Sequence, residues 1–181
     1  MFTSDFMEKT VSIPSGITVE VDKFKVRVKG AKGLLEKDFY TPLFAKDIKV
    51  ELRDGKMAVS SQSDRKKIRA MVGTICAITS HMIKGVTEGY EAKLKVVYMH
   101  FPFTMKITGK EIAVVNFLGE KTPRKTKIVG DCKVEVKGED ITVTGISKDD
   151  VGHTASNLEK VTHIKARDRR VFQDGIFWLK R

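Results

Sequence analysis

Cysteine is scarce: Cys76 and Cys132 are the only two in 181 residues, far apart and each alone. With no CxxC pair there is no zinc half-site, and two isolated thiols build no disulfide framework. Cys76 falls on an apolar helical stripe, where a small buried thiol is expected. Long apolar runs are also absent, so no segment reaches the length of a membrane span. The N-terminus carries Asp5 and Glu8 without an apolar core region, so no secretory signal is expected and a cytosolic, reducing setting fits. Catalytic patterns are missing as well: there is no H-E-x-x-H, no G-x-S-x-G and no Walker sequence. His81, His100, His153 and His163 are scattered without ligand spacing. Asp168 reads as a local partner for Arg167 or Arg170, and Asp174-Gly175 as turn chemistry. These gaps point away from an enzyme, a cofactor, a metal, a small-molecule substrate or a membrane partner.

What is present is positive charge. The chain carries 34 Lys and Arg against 23 Asp and Glu, a net charge of +11 and a pI near 9.6. Residues 1–90 hold 16 basic and 11 acidic side chains, and residues 91–181 hold 18 and 12, so both halves are basic and no charged tail accounts for the excess. Such a balance favours a polyanionic partner.

Along the chain, apolar and polar residues alternate in short strands. Val11 and Ile13 lead to a Pro14-Ser15-Gly16 turn, then Ile17, Val19 and Val21 and, after Asp22-Lys23, Phe24, Val26 and Val28. Gly30-x-x-Gly33 lies between strand patterns, so it reads as a hairpin turn and not as the loop a KH domain places between helices. Ile48, Val50 and Leu52 run to an Asp54-Gly55 turn, with Met57 and Val59 returning. A helix is expected from about Asp64 to Lys84, with Gly85 as its stop. Arg65, Lys66, Lys67 and Arg69 crowd its start, as either a solvated face or an RNA contact.

Strands resume at Leu94 and Val96, with Ile112 and Val114 further on. The loop Glu120–Lys127 concentrates Lys121, Arg124, Lys125 and Lys127 around Pro123, more cations than one glutamate neutralises. From Ser147 a capped helix is expected, with Val151, Ala155, Leu158 and Val161/Thr162 on its apolar stripe and Asp149 and Asp150 in its first turn. Lys165, Arg167, Arg169 and Arg170 follow within six residues, before an aromatic strand. Phe172 and Trp178 are candidates either for stacking on nucleotides or for core packing.

The chain also repeats itself. Lys49-Val-Glu-Leu52, a turn and Met57-Ala-Val59 align with Lys133-Val-Glu-Val136, a turn and Ile141-Thr-Val143. Ser61 and Asp64 align with Ser147 and Asp150 before each helix. The expected fold class is α+β: two tandem similar domains, 1–90 and 91–181, each an antiparallel sheet packed against one helix. The boundary falls near residues 88–98, without a Pro/Gly-rich linker, so a fixed relation between the domains is expected. The exposed sheet aromatics of a single-strand RNA reader are not patterned here. A free-standing RNA-binding regulator is therefore the second reading.

The C-terminal stretch resembles the signature of the large-subunit ribosomal protein family numbered six in bacteria and nine in eukaryotes. There a V-G/S-x-x-A helix leads to K-x-K/R-D-x-R-x-F-x-D-G-I. Val151, Ala155, Lys165, Arg167, Asp168, Arg170, Phe172, Asp174, Gly175 and Ile176 fill those positions. Gly30 and Gly33 match a second element, with Ala31 where proline is usual, and Asn116–Lys121 matches a third. Tyr98-x-His100-Phe101-Pro102 and Met82–Thr87 resemble the archaeal and eukaryotic branch. The resemblance runs from about Thr10 to Lys180. It implies a structural constituent of the large ribosomal subunit in the cytosol, bound to large-subunit rRNA near the sarcin–ricin loop and stalk base. Neighbouring ribosomal proteins would adjoin it, and translation factors would dock nearby. The expected rRNA-binding residues are Lys121, Arg124, Lys125, Lys127, Lys165, Arg167, Arg169, Arg170, Lys180 and Arg181, with the C-terminal domain as the main binding half.

Overall fold

A computed structural model describes residues 7–42, 45–53, 55–63, 65–165 and 167–179. Asp54, Asp64, Lys180 and Arg181, named above as turn, cap and binding candidates, lie outside the described residues. The chain divides into two compact units, Met1–Gly89 and Tyr90–Arg181.

In the first unit, β1 (Met7–Ser12), β6 (Lys56–Ser61) and β5 (Ile48–Arg53) form one antiparallel sheet. β2 (Thr18–Asp22), β3 (Lys25–Gly30) and β4 (Gly33–Asp38) form another. Alternation sets the faces: Val26 and Val28 are fully buried between exposed Lys25, Arg27 and Lys29. One helix, α1 (Lys66–Thr87), supplies Ile68, Val72, Ile75, Cys76, Met82, Ile83 and Val86 to the core. Cys76 is buried as expected, and burial pushes its thiol pKa up against the opposing pull of Lys9.

The ends of α1 correct two expectations. Ser61 does not cap it: Ser61 closes β6 and its hydroxyl accepts from the Ser63 N–H, while Arg65 holds the N-cap position with no side-chain cap bond. Gly85 does not stop it either. The helix runs through Gly85 to Thr87, and Gly89, at φ +81°, takes the left-handed backbone that ends it.

The Gly30–Gly33 hairpin joins β3 to β4 as expected, and its glycine has a packing reason. A Cβ on Gly30 would lie 2.7 Å from Val86 Cγ2 and 3.1 Å from the Val86 carbonyl oxygen. The Lys32 N–H donates to that same carbonyl at 3.1 Å, fastening the turn to the helix end. Gly30→Ala should therefore cost the first unit about 1–3 kcal/mol by overpacking, measured by denaturant titration. Gly152 is the contrast: it lies within a helix and a Cβ there meets nothing within 4 Å. Gly152→Ala should stabilise by about 0.5–1 kcal/mol in the same assay.

The second unit repeats the order. β7 (Tyr90–Val97) is the counterpart of β1, and β8 (Thr104–Thr108), β9 (Glu111–Val115) and β10 (Arg124–Lys127) form the sheet corresponding to β2–β4. β11 (Lys133–Lys137) and β12 (Asp140–Gly145) make the hairpin before α2 (Lys148–Val161). A final strand, β13 (Gly175–Trp178), pairs with β7 and extends the sheet to the order β11-β12-β7-β13. Among the described residues β13 has no counterpart in the first unit. Here the cap is as read: the Ser147 hydroxyl accepts from the Asp150 N–H at 3.3 Å, with Asp149 and Asp150 in the first turn. Val151, Ala155 and Leu158 are buried against Leu94, Ile141 and Ile176.

Candidate nucleic-acid interface

Part of the expected cationic loop is a strand. Arg124–Lys127 pairs as β10 along β9, so its side chains alternate between two faces. Lys125 and Lys127 point outward and are exposed, while Arg124 and Thr126 turn inward. Cross-strand register places Lys125 opposite Ala113, and Ala113 opposite Lys106. The next row is Lys127, Glu111 and Thr108. The outer face thus carries three lysines to one glutamate, with small Ala113 between two of the lysines. Lys106 was not among the expected residues; only strand pairing brings it there. Lys121 is exposed just before β10.

Arg124 is different. Its Nε and Nη2 donate to the two Glu120 carboxylate oxygens at 2.7 and 2.6 Å. Its Nη1 donates to the carbonyls of Val161 and His163 at 3.0 and 2.9 Å, and the guanidinium lies 4.6 Å from the Phe117 ring centre. The turn Asn116–Gly119 aims these groups. Asn116 and Leu118 hold φ of +64° and +50°, a left-handed backbone that lets both Phe117 and Leu118 bury. The Asn116 amide fixes it by donating to the Pro102 carbonyl at 3.0 Å. Arg124 therefore ties β10 to the exit of α2, 37 and 39 residues further along the chain, and brings the two basic segments together.

The Arg124 hydrogen bonds hold the Glu120 carboxyl below the usual carboxylate range; partial burial opposes them, and Arg167 adds to the lowering. A depressed folded-state pKa gives stability that is complete above the unfolded value, about 4.3, and is lost as pH falls through the folded value. The side chain is 39% exposed, so the gain is no more than about 1 kcal/mol. In urea titrations at pH 7, Glu120→Gln should lower stability by up to that amount. The gap between the two proteins should close as the pH falls through the folded-state pKa of Glu120.

Beyond α2, Lys165, Arg167, Arg169 and Arg170 are all exposed. Asp168 does not serve as a guanidinium partner as expected; its carboxylate accepts the backbone N–H of Arg170 at 2.9 Å, while its carbonyl accepts from Val171 and Phe172. Phe172 is half-buried, packed on the core, with Arg167 4.9 Å from its ring centre and His100 4.8 Å away on centroids. Asp174 is not turn chemistry. It is 1% exposed and accepts the N–H of Met99 at 2.8 Å and of His100 at 3.4 Å, with His100 Nδ1 also at 3.4 Å. This carboxylate fastens the Tyr98–Phe101 loop to the terminal strand. Trp178 is half-buried, its indole N–H donating to Glu159 at 3.2 Å.

Two segments of the chain, residues 13–89 and 101–175, each match the family described as Ribosomal protein L6. The chain belongs to the ribosomal protein L6 family. It is 46% identical over 169 residues to the large ribosomal subunit protein uL6 of Methanosarcina mazei, covering 93% of this chain and 94% of that relative. It is 43% identical over 175 residues to uL6 of Methanospirillum hungatei, covering 97% of each. With uL6 of Archaeoglobus fulgidus the identity is 44% over 184 residues, covering 99% of this chain and 92% of the relative.

One L6 segment falls in each unit, yet the two copies differ in charge. In the first copy the outer rows of the β2-β3-β4 sheet read Glu20–Arg27–Glu36 and Asp22–Lys25–Asp38, with Thr18–Lys29–Leu34 above them. Four carboxylates there answer three cations, and Arg27 pairs with Glu36 at 2.9 Å. The corresponding face of the second copy holds three lysines and one glutamate. In this L6 protein Arg65, Lys66 and Lys67 are exposed at the start of α1, whose first turn holds no acidic residue. Among the described residues no group of three or more His, Cys, Asp or Glu could hold a metal ion, and no helix is long and apolar enough to cross a membrane.

Proposed function

We propose that the chain is a structural constituent of the large ribosomal subunit and binds large-subunit rRNA chiefly through its second unit. The charge asymmetry between the duplicated sheets carries this reading. One copy neutralises its outer face with its own carboxylates, and the other leaves Lys106, Lys125 and Lys127 for an external polyanion. Lys121, Lys165, Arg167, Arg169 and Arg170 extend the cationic surface, while Arg124 holds its parts together. Helical RNA is recognised through phosphates, 2′-hydroxyls and shape, so the cations position the protein and read no bases. The relatives' name, large ribosomal subunit protein uL6, supports the same assembly.

The finer placement belongs to the proposal too: rRNA near the sarcin–ricin loop and stalk base, beside neighbouring ribosomal proteins and the translation-factor site, in the cytosol. The test is sedimentation of a lysate on a gradient with and without high salt. Co-migration with the large subunit, resistant to moderate salt, is expected. Recovery only in light fractions would replace this reading by a free-standing RNA-binding regulator. Hydroxyl-radical cleavage directed from a probe on Lys125→Cys should cut rRNA at the sarcin–ricin loop and stalk base; cuts confined elsewhere would refute that placement.

A further inference from the structure

A groove of about 460 Å³ opens in the second unit between the last turn of α2 and the returning segment Phe172–Phe177. Its size lies in the range of small-ligand sites, roughly 300–1,000 Å³. Lys160 and Arg169 stand on its wall, and among the described residues neither is held in an ion pair. His163 adds an imidazole, and Phe172 and Phe177 supply aromatic surface. Gln173 adds an amide. The carboxylates on the wall are engaged: Glu159 accepts the Trp178 indole, and Asp174 accepts the Met99 and His100 amides.

The groove is held open by bonds that the cationic surface does not need. The Thr162 hydroxyl accepts the Ile176 N–H at 3.0 Å and donates to the Glu159 carbonyl at 3.1 Å, locking β13 to the helix end. Gly175 keeps the wall close here: a Cβ would lie 3.2 Å from the Phe177 ring, which would have to shift slightly, and in ordinary contact at 3.5 Å with Thr162 Oγ1. A preformed cleft with aromatic surface, two cations and an amide whose N–H donates to the Arg170 carbonyl at 3.3 Å, leaving its oxygen as an acceptor, suits a base on the rings and a phosphate at the rim.

We propose that this groove binds one unstacked nucleotide, its base against Phe172 and Phe177 and its phosphate between Lys160 and Arg169. The inference rests on the RNA-binding reading and adds to it a site that handles a single nucleotide apart from the lysine face, which handles helical backbone. The groove shares Arg169 with the cationic surface but none of its sheet lysines, because Lys106, Lys125 and Lys127 are not among the residues lining it.

The test is amide-shift titration of the labelled full chain with adenosine 5′-monophosphate, single-stranded hexa-adenylate, an RNA duplex and inorganic phosphate, all at one ionic strength. Both single-stranded probes should shift amides in Lys160–Ile164 and Gln173–Phe177, and inorganic phosphate should not. Phe177→Ala and Arg169→Ala, both at exposed positions, should each weaken that response roughly tenfold with an unchanged thermal midpoint. Response to the mononucleotide but not the oligomer would keep the nucleotide site and overturn its RNA source. Shifts confined to the amides around Lys106, Lys125 and Lys127 would overturn the groove and leave the RNA reading intact. If the duplex shifts nothing either, the RNA-binding reading falls with it.

Discussion

Replacing Leu158 by alanine should lower the unfolding free energy of the second unit by roughly 2–5 kcal/mol. Leu158 is fully buried on α2, in one cluster with Leu94, Ile141 and Ile176 from three different strands. Truncation removes the transfer energy of the buried side chain and leaves a cavity that helix and sheet, joined at many points, close only in part. The upper end of the range applies if α2 stays in place, because Ser147 caps one end and Arg124 grips the carbonyls at the other. The chain's single tryptophan, Trp178, is half-buried in this same core, so its fluorescence follows the unfolding of this unit. A loss below about 0.5 kcal/mol in denaturant titration would mean that Leu158 does not anchor the helix.

Local pattern made most of this architecture legible. Alternating valines and isoleucines placed the strands of the first unit, and Gly30 with Gly33 marked a hairpin whose ends do pair. The internal repeat foretold the shared order of the two units, and the two matched segments agree with it. The misses have a common cause. β10 reads R-K-T-K, with no apolar alternation, because its inward positions are Arg124 and Thr126 and the partners that satisfy Arg124 come from α2. Asp174 looked like half of an Asp-Gly turn because its hydrogen-bond donors lie 74 and 75 residues earlier. Ser61 and Gly85 had the right residue types for helix ends, but α1 begins later and ends later, and tertiary packing of Val86 on Gly30 extends it.

The same distinction separates charge that holds the fold from charge free to act outside it. Sequence counts Arg124 with its neighbours as one cation among four. Geometry gives it four hydrogen bonds to Glu120, Val161 and His163, and it is 22% exposed at the side chain. Arg124 therefore sets β10 against the α2 exit, and under the proposed function its effect on binding would come through position. Lys125 and Lys127, on the opposite face of the strand, are the ones the proposed function assigns to counterion exchange.

That division sets the largest expected change in binding. Lys106, Lys125 and Lys127 share the outer face of one sheet, so changing all three to alanine removes charge without touching the buried side. If each meets one phosphate of duplex RNA, the slope of log affinity against log salt should flatten by about 2.7, about 0.9 for each contact. At 0.1 M salt the loss should be about two to three orders of magnitude by the same rule. Glu111, the one carboxylate among them, supplies the opposite sign: Glu111→Gln should tighten binding modestly with stability unchanged. Arg124→Ala should lower the midpoint of the second unit's unfolding while leaving the salt slope close to that of the parent. Filter binding of an rRNA fragment across a salt series distinguishes the two. A parental slope in the triple variant would remove this sheet face from the RNA interface, and a flattened slope in Arg124→Ala at full stability would put Arg124 on a phosphate after all.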